Sequence, residues 1–221
     1  MNLYERYGLF RRCRNVAGLL AVMLITVMCA VPGDSRAAPA RLLVFGDSLV
    51  AGYNLPPDAS YPAQLDKALK ARGITDVTVL NAGVSGDTTA AALSRLDWSL
   101  ADRPTHVLVE LGANDMLRGL APEQARTNLD AIITKLKQAN LPVLLAGMLA
   151  APNLGADYGK RFNAMYPELA QKHGVPLYPF FLDGVAADPK LNLGDGIHPT
   201  REGVAVIVER TMPHILRFLG R

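Results

Sequence analysis

Cysteine is nearly absent from this sequence, and what there is lies at one end: Cys13 and Cys29 are its only two. From residue 38 onward there is no thiol. That excludes cysteine nucleophiles, cysteine zinc ligation and disulfides from this part of the chain, and it suits an oxidising compartment. Aromatic residues make up 6% of the chain, with Trp98 the single tryptophan, so aromatic platforms for sugar rings are poorly supplied. The apolar run Val16 to Val31 has 16 residues, short of the ~20 that span a bilayer comfortably. There is no His-Glu-x-x-His, no Walker loop, no Gly-x-Ser-x-Gly, and no Gly-x-Gly-x-x-Gly after the first strand. Metalloprotease, P-loop, ordinary α/β-hydrolase and dinucleotide-binding arrangements therefore lack their motifs.

The first residues carry a secretory pattern. Arg6, Arg11, Arg12 and Arg14 form a basic region, the apolar run follows, and Ser35-Arg36-Ala37 offers small residues at a cleavage site. Residues 1–37 are expected to be a signal peptide removed after Ala37, with 38–221 as one domain exported to the periplasm or secreted. The alternative is an uncleaved anchor, and Pro32-Gly33 directly after the apolar run counts against it. Five arginines and two acids lie in residues 1–37, so the 23 basic and 20 acidic residues of the chain become 18 of each from residue 38. A neutral mature chain makes no electrostatic case for nucleic acid or anionic lipid as partner.

From Arg41 short apolar runs alternate with longer amphipathic ones. The pattern predicts strands at Arg41–Phe45, Val77–Asn81, His106–Leu111, Val143–Met148 and Pro176–Tyr178. Continuous Val/Leu runs without alternation suit strands covered on both faces. Helices are expected over Tyr61–Arg72, Thr88–Leu100, Pro122–Asn140, Tyr158–His173 and Thr200–Leu219, with Pro122 in a first turn and Gly73 and Gly174 as stops. This is a three-layer α/β/α, flavodoxin-like domain with about five parallel strands. In such a sheet the loops after the strands share one rim. Three polar loops then converge there: Gly46-Asp47-Ser48, Asn81 to Asp87, and Gly112-Ala113-Asn114-Asp115.

Ser48 follows the first strand in a tight turn that would expose its hydroxyl. By its own strand alone it reads as a turn serine capping the next segment, and only partners elsewhere in the chain change that. A serine nucleophile needs a base, normally histidine. His106 begins a strand, His173 ends a helix and His214 lies within the last helix, so these three read as structural. His198 sits in Gly194-Asp195-Gly196-Ile197-His198-Pro199. Asp195, three residues earlier, can accept one ring N–H and leave the other nitrogen for the serine proton. Oxyanion donors are available in the Ser48 N–H, the Asn114 amide and a glycine N–H after the second strand, where Gly83 and Gly86 are equivalent candidates. Asp47 and Asp115 read as residues that hold their turns. Apolar residues on the same rim, Met116, Leu117, Leu120, Leu149 and Pro152, are candidates to line an acyl pocket, or else pack on neighbouring helices.

Gly46-Asp47-Ser48-Leu49, Gly86, Gly112-x-Asn114-Asp115 and Asp195-x-x-His198-Pro199 together resemble the four blocks of the SGNH (GDSL) hydrolases, in order across residues 41 to 219. The match is most similar to the bacterial thioesterase I/protease I/lysophospholipase L1 and arylesterase group. Ala113 stands where many relatives carry a second glycine. The resemblance implies hydrolysis of esters or thioesters without metal or cofactor, with Ser48 as nucleophile, His198 as proton shuttle and Asp195 as its orienter. It selects Gly86 over Gly83 and places Ser48, Gly86 and Asn114 in the oxyanion hole. The expected substrates are short to medium acyl esters, thioesters or lysophospholipids, and the expected state is a monomer or small homo-oligomer without stable membrane insertion. A carbohydrate O-acetyl esterase and, more remotely, a non-catalytic flavodoxin-like binding protein are the alternatives.

Overall fold

The computed structural model describes residues 38–221. The segment read as a signal peptide, including the expected cleavage site, lies outside the described residues. Five strands form one sheet: β1 (Ala40–Gly46), β2 (Val77–Gly83), β3 (His106–Glu110), β4 (Val143–Ala146) and β5 (Leu177–Tyr178), in the order β2-β1-β3-β4-β5. Every pairing is parallel, with Gly46 opposite both Gly83 and Glu110 at the end of the central strands. Around them run α1 (Ser48–Ala51), α2 (Tyr61–Ala71), α3 (Thr89–Ser99), α4 (Ala113–Leu117), α5 (Pro122–Gln138), α6 (Ala156–His173) and α7 (Arg201–Leu219). α2 packs beside α7, while α5 packs between α3 and α6. Right-handed crossovers put these two groups on opposite faces of the sheet, giving the expected flavodoxin-like three-layer fold.

Burial explains why the central strands carry unbroken apolar runs. Leu42 to Phe45 in β1 and Val107 to Val109 in β3 are at most 1% exposed, because each face of the sheet carries helices. β2 is an edge strand, and only Val77 in it is buried. Among the described residues no helix is long and apolar enough to cross a membrane.

β1 is the point where strand order reverses, with β2 on one side and β3 on the other. Loops diverge from such a strand and leave a crevice at its carboxyl end. The chain turns there at once: the Asp47 side chain accepts the Leu49 N–H at 3.0 Å and caps α1. Gly46 permits the reversal, since a Cβ at that position would lie 2.4 Å from Val50 Cγ2 and 2.7 Å from the Glu110 carbonyl. Ser48 is thereby the first residue of α1, at the sheet's rim.

Candidate active site

The turn after β1 aims Ser48 at a histidine 150 residues away in sequence. Ser48 Oγ lies 3.0 Å from His198 Nε2, and His198 Nδ1 lies 2.7 Å from Asp195 Oδ2. Asp195 Oδ1 accepts the N–H groups of Ile197 and His198 at 2.9 and 3.0 Å. Those backbone donors, His198's first, hold the Asp195 carboxyl down at about 2, so it stays anionic through the working range. An anionic Asp195 assigns the proton to Nδ1 and leaves Nε2 to accept from the serine. The loop around His198 is closed on itself: the Leu193 N–H donates to the His198 carbonyl at 2.7 Å, and Thr200 N–H to the Leu191 carbonyl at 2.9 Å. Thr200 then caps α7 through Gly203 N–H.

Asn114, second residue of α4, donates through Nδ2 to Asp47 Oδ2 at 3.0 Å, leaving the second amide hydrogen for another acceptor. Asp115 turns the other way, accepting from Thr89 N and Thr89 Oγ1 at 2.8 and 2.6 Å. The two neighbours thus tie the loop after β3 to the Asp47-Ser48 turn and to the start of α3. Gly86 lies in the loop after β2 with φ +86, and its carbonyl accepts from Arg118 at 2.7 Å. A Cβ there would meet nothing closer than 3.8 Å, so backbone conformation rather than crowding favours glycine. Gly83 differs, since its Cβ would lie 2.3 Å from Ala51 N; it is a contact between β2 and α1.

Beside Ser48 a cleft of about 320 Å³ is lined by Met116, Leu117, Met148, Leu149, Pro152 and Ile197, among others, with Asn114 and His198 at its polar end. Leu120 does not line it. The chain turns after α4, the Leu120 carbonyl accepts from Tyr158, and the side chain faces a separate groove with Gln124 and Asn128. A larger groove, about 790 Å³, runs between α2 and α7 with none of the candidate catalytic residues in its walls. The other histidines sit elsewhere: His106 against Thr105 and the Phe218 ring, His173 on Asp130, His214 against the Tyr178 ring.

Several residues at this rim carry no motif. Arg95 on α3 pairs with Asp87 at 2.6 Å, donates to the Gly46 carbonyl at 2.9 Å and lies 4.4 Å over the Phe45 ring, bracing the loop after β2 against β1. Tyr53 stacks on His198. Glu110 is fully buried at the end of β3, with neither carboxyl oxygen hydrogen-bonded. Burial, then the charge of Asp47, pushes its carboxyl well above the usual range. Burial likewise raises Asp47 to about 6, against the lowering effect of the Leu49 N–H and Asn114 amide. A lone acid in the run Val-Leu-Val-Glu-Leu was the available sequence signal for Glu110; Tyr53 and Arg95 gave none.

Known proteins resemble this chain closely. An arylesterase from Vibrio mimicus is 39% identical over 202 residues, 91% of this chain and 98% of that one. The thioesterase 1/protease 1/lysophospholipase L1 of Escherichia coli (strain K12) is 42% identical over 176 residues, 79% of this chain and 83% of that one. The crystal structure of the psychrotrophic esterase EstA from Pseudoalteromonas sp., inhibited by monoethylphosphonate, matches with a TM-score of 0.78 at 33% identity, covering 82% of this chain and 100% of EstA. Residues 44–206 match the GDSL-like lipase/acylhydrolase family. The sequence blocks, the parallel sheet and these relatives agree, and the chain belongs to that family of ester hydrolases, the SGNH (GDSL) enzymes.

Proposed function

We propose that this protein is an exported serine esterase that cleaves carboxylic esters or thioesters of short to medium acyl chains through an acyl-enzyme. The observation that carries the reading is the Ser48–His198–Asp195 chain of hydrogen bonds, at 3.0 and 2.7 Å, opening on an apolar cleft. His198 Nε2 takes the Ser48 proton as Oγ attacks the acyl carbon, then gives it to the departing alcohol or thiol. Water next attacks the acyl-serine, His198 accepts its proton, and the acid leaves as the proton returns to Oγ. The Ser48 and Gly86 N–H groups and the free hydrogen of the Asn114 amide receive the negative charge that develops on the carbonyl oxygen. Met116, Leu117, Leu149 and Pro152 hold the acyl chain.

Arylesterase, thioesterase and lysophospholipase names among the relatives support one acyl site with several leaving groups. For an O-acetyl esterase of carbohydrates the cleft offers little, since Trp98 is 78% exposed on α3 and outside it. The arginine-led apolar segment before Ala38 supports export; N-terminal sequencing of the enzyme from the periplasm should begin at Ala38. To test the mechanism, Ser48→Ala should abolish both hydrolysis of p-nitrophenyl butyrate and labelling by a fluorophosphonate. Retention of either removes Ser48 as nucleophile.

A further inference from the structure

Tyr53 belongs to none of the family blocks, yet its ring lies over the imidazole of His198, with centroids 4.4 Å apart and planes inclined by 35°. Its backbone is part of the nucleophile turn. The N–H groups of Gly52 and Tyr53 both donate to the Ser48 carbonyl, at 3.1 and 3.2 Å, and Leu55 N–H donates to the Gly52 carbonyl at 3.0 Å. Gly52, at φ +82, makes this reversal directly after α1. One short segment therefore delivers a hydroxyl to the edge of the imidazole and an aromatic ring to its face.

The charged groups facing His198 are Asp195 from its own loop and the buried Asp47 from the turn before α1. Asp195 fixes charge at the ring edge, on Nδ1, whereas the ring against the imidazole is that of Tyr53. When His198 takes the serine proton it becomes a cation, and an aromatic face within ~6 Å attracts a cation. We propose that Tyr53 is a positioning residue for His198, keeping the imidazole in line between Ser48 and Asp195 and stabilising its protonated form through the ring face. The inference rests on reading Ser48, His198 and Asp195 as the triad. At a partly exposed site the attraction corresponds to about a two- to fivefold change in turnover.

The test compares Tyr53→Phe with Tyr53→pentafluorophenylalanine, two rings of similar outline and opposite face polarity, in the purified protein. The acid limb of kcat/KM against pH for p-nitrophenyl butyrate reports the free enzyme's base. Relative to Tyr53→Phe, the fluorinated ring should move that limb to lower pH and reduce kcat about two- to fivefold, with KM unmoved. Coincident profiles, or an effect confined to KM, overturn the proposal; the second outcome makes Tyr53 a substrate contact. Ser48→Ala, measured alongside, separates the two levels: if it stays active the triad reading falls, whereas if it is dead and the two profiles coincide, only the role of Tyr53 falls.

Discussion

Asp47 and Asn114 are joined by a 3.0 Å hydrogen bond in which the amide donates to the buried carboxylate. The aspartate of the turn before Ser48 therefore sets the orientation of a side chain on a different loop. Asp47→Asn would place two amides face to face, and the pair is satisfied only if one of them turns its oxygen inward. If Asn114 turns, its free hydrogen leaves the oxyanion position. Asn114→Ala should lower kcat by roughly 10²–10³ with little change in KM, the loss typical of one oxyanion donor. Asp47→Asn should lose a comparable part of kcat while gaining stability, because it removes a buried charge. Steady-state kinetics with urea unfolding of the same samples checks both signs.

The same buried acid makes stability depend on pH in an unusual direction. Asp47 is raised from 3.8 to about 6, so between those values the folded chain holds a proton that the unfolded chain releases. Stability is therefore greatest below pH 4 as far as this group is concerned, falls as pH rises to 6, and is about 3 kcal/mol lower above it. Glu110, raised by burial and by Asp47, acts with the same sign. Asp195, lowered to about 2, acts oppositely, but only where pH falls through 4 towards 2. Urea midpoints should accordingly decline between pH 4.5 and 7, and Glu110→Leu, which removes two unsatisfied buried oxygens, should raise the midpoint at pH 7 by an amount worth about 1–3 kcal/mol. A flat profile would contradict the ionisation of Asp47 at neutral pH.

Arg95 makes a third test, because it holds the loop bearing Gly86 against β1. Its guanidinium and the Asp87 carboxylate are both largely buried, with side chains 16% and 11% exposed. Arg95→Met leaves that carboxylate without its cation and the Gly46 carbonyl with only the Val84 N–H as donor, a loss of roughly 2–4 kcal/mol. Arg95→Lys should recover little, since one ammonium cannot replace directed bonds to Asp87, the Gly46 carbonyl and Ser99 Oγ together with a planar face over Phe45. In a double-mutant cycle, Asp87→Asn should cost much less in the Arg95→Met background than in the parent. Additive losses would mean that the pair does not act as a unit.

Much of this fold is legible in the sequence because burial writes it there. Leu42 to Phe45 are apolar on both faces of β1 and mark an interior strand. Pro122 and the glycine at Gly174, φ +63, mark helix ends by fixed backbone preferences. The short helices α1 and α4 are not legible, having four and five residues, too few to show a helical period; a cap at Asp47 and a left-handed Gly112 create them instead. Leu120 shares with Leu117 the apolar loop after the third strand, which places both on the cleft by sequence, but a turn in between puts it at another groove. Ser48, Asp195, His198 and Asn114 are legible as candidates by chemistry, since each proposed role needs a particular residue type. Tyr53, Arg95 and Glu110 act through contacts with distant segments, which no local pattern encodes.

The cleft gives the remaining prediction, for acyl length. Its walls are aliphatic and its volume is about 320 Å³, so each methylene of a substrate that enters it gains up to ~0.8 kcal/mol, about fourfold in kcat/KM. Rates on p-nitrophenyl esters should therefore climb with chain length and level off once further carbons remain in water. Leu149 lines this space and is 45% exposed, so Leu149→Trp can add bulk without disturbing the core. It should move the plateau to shorter acyl chains, leaving the acetate ester hydrolysed at near the parental rate and lowering the rate on the longest chains at least tenfold. An equal loss at every length would mean that position 149 governs the reacting centre and not the acyl chain, and a thioester series run in parallel should show the same break point, since the acyl group and its seat are common to both.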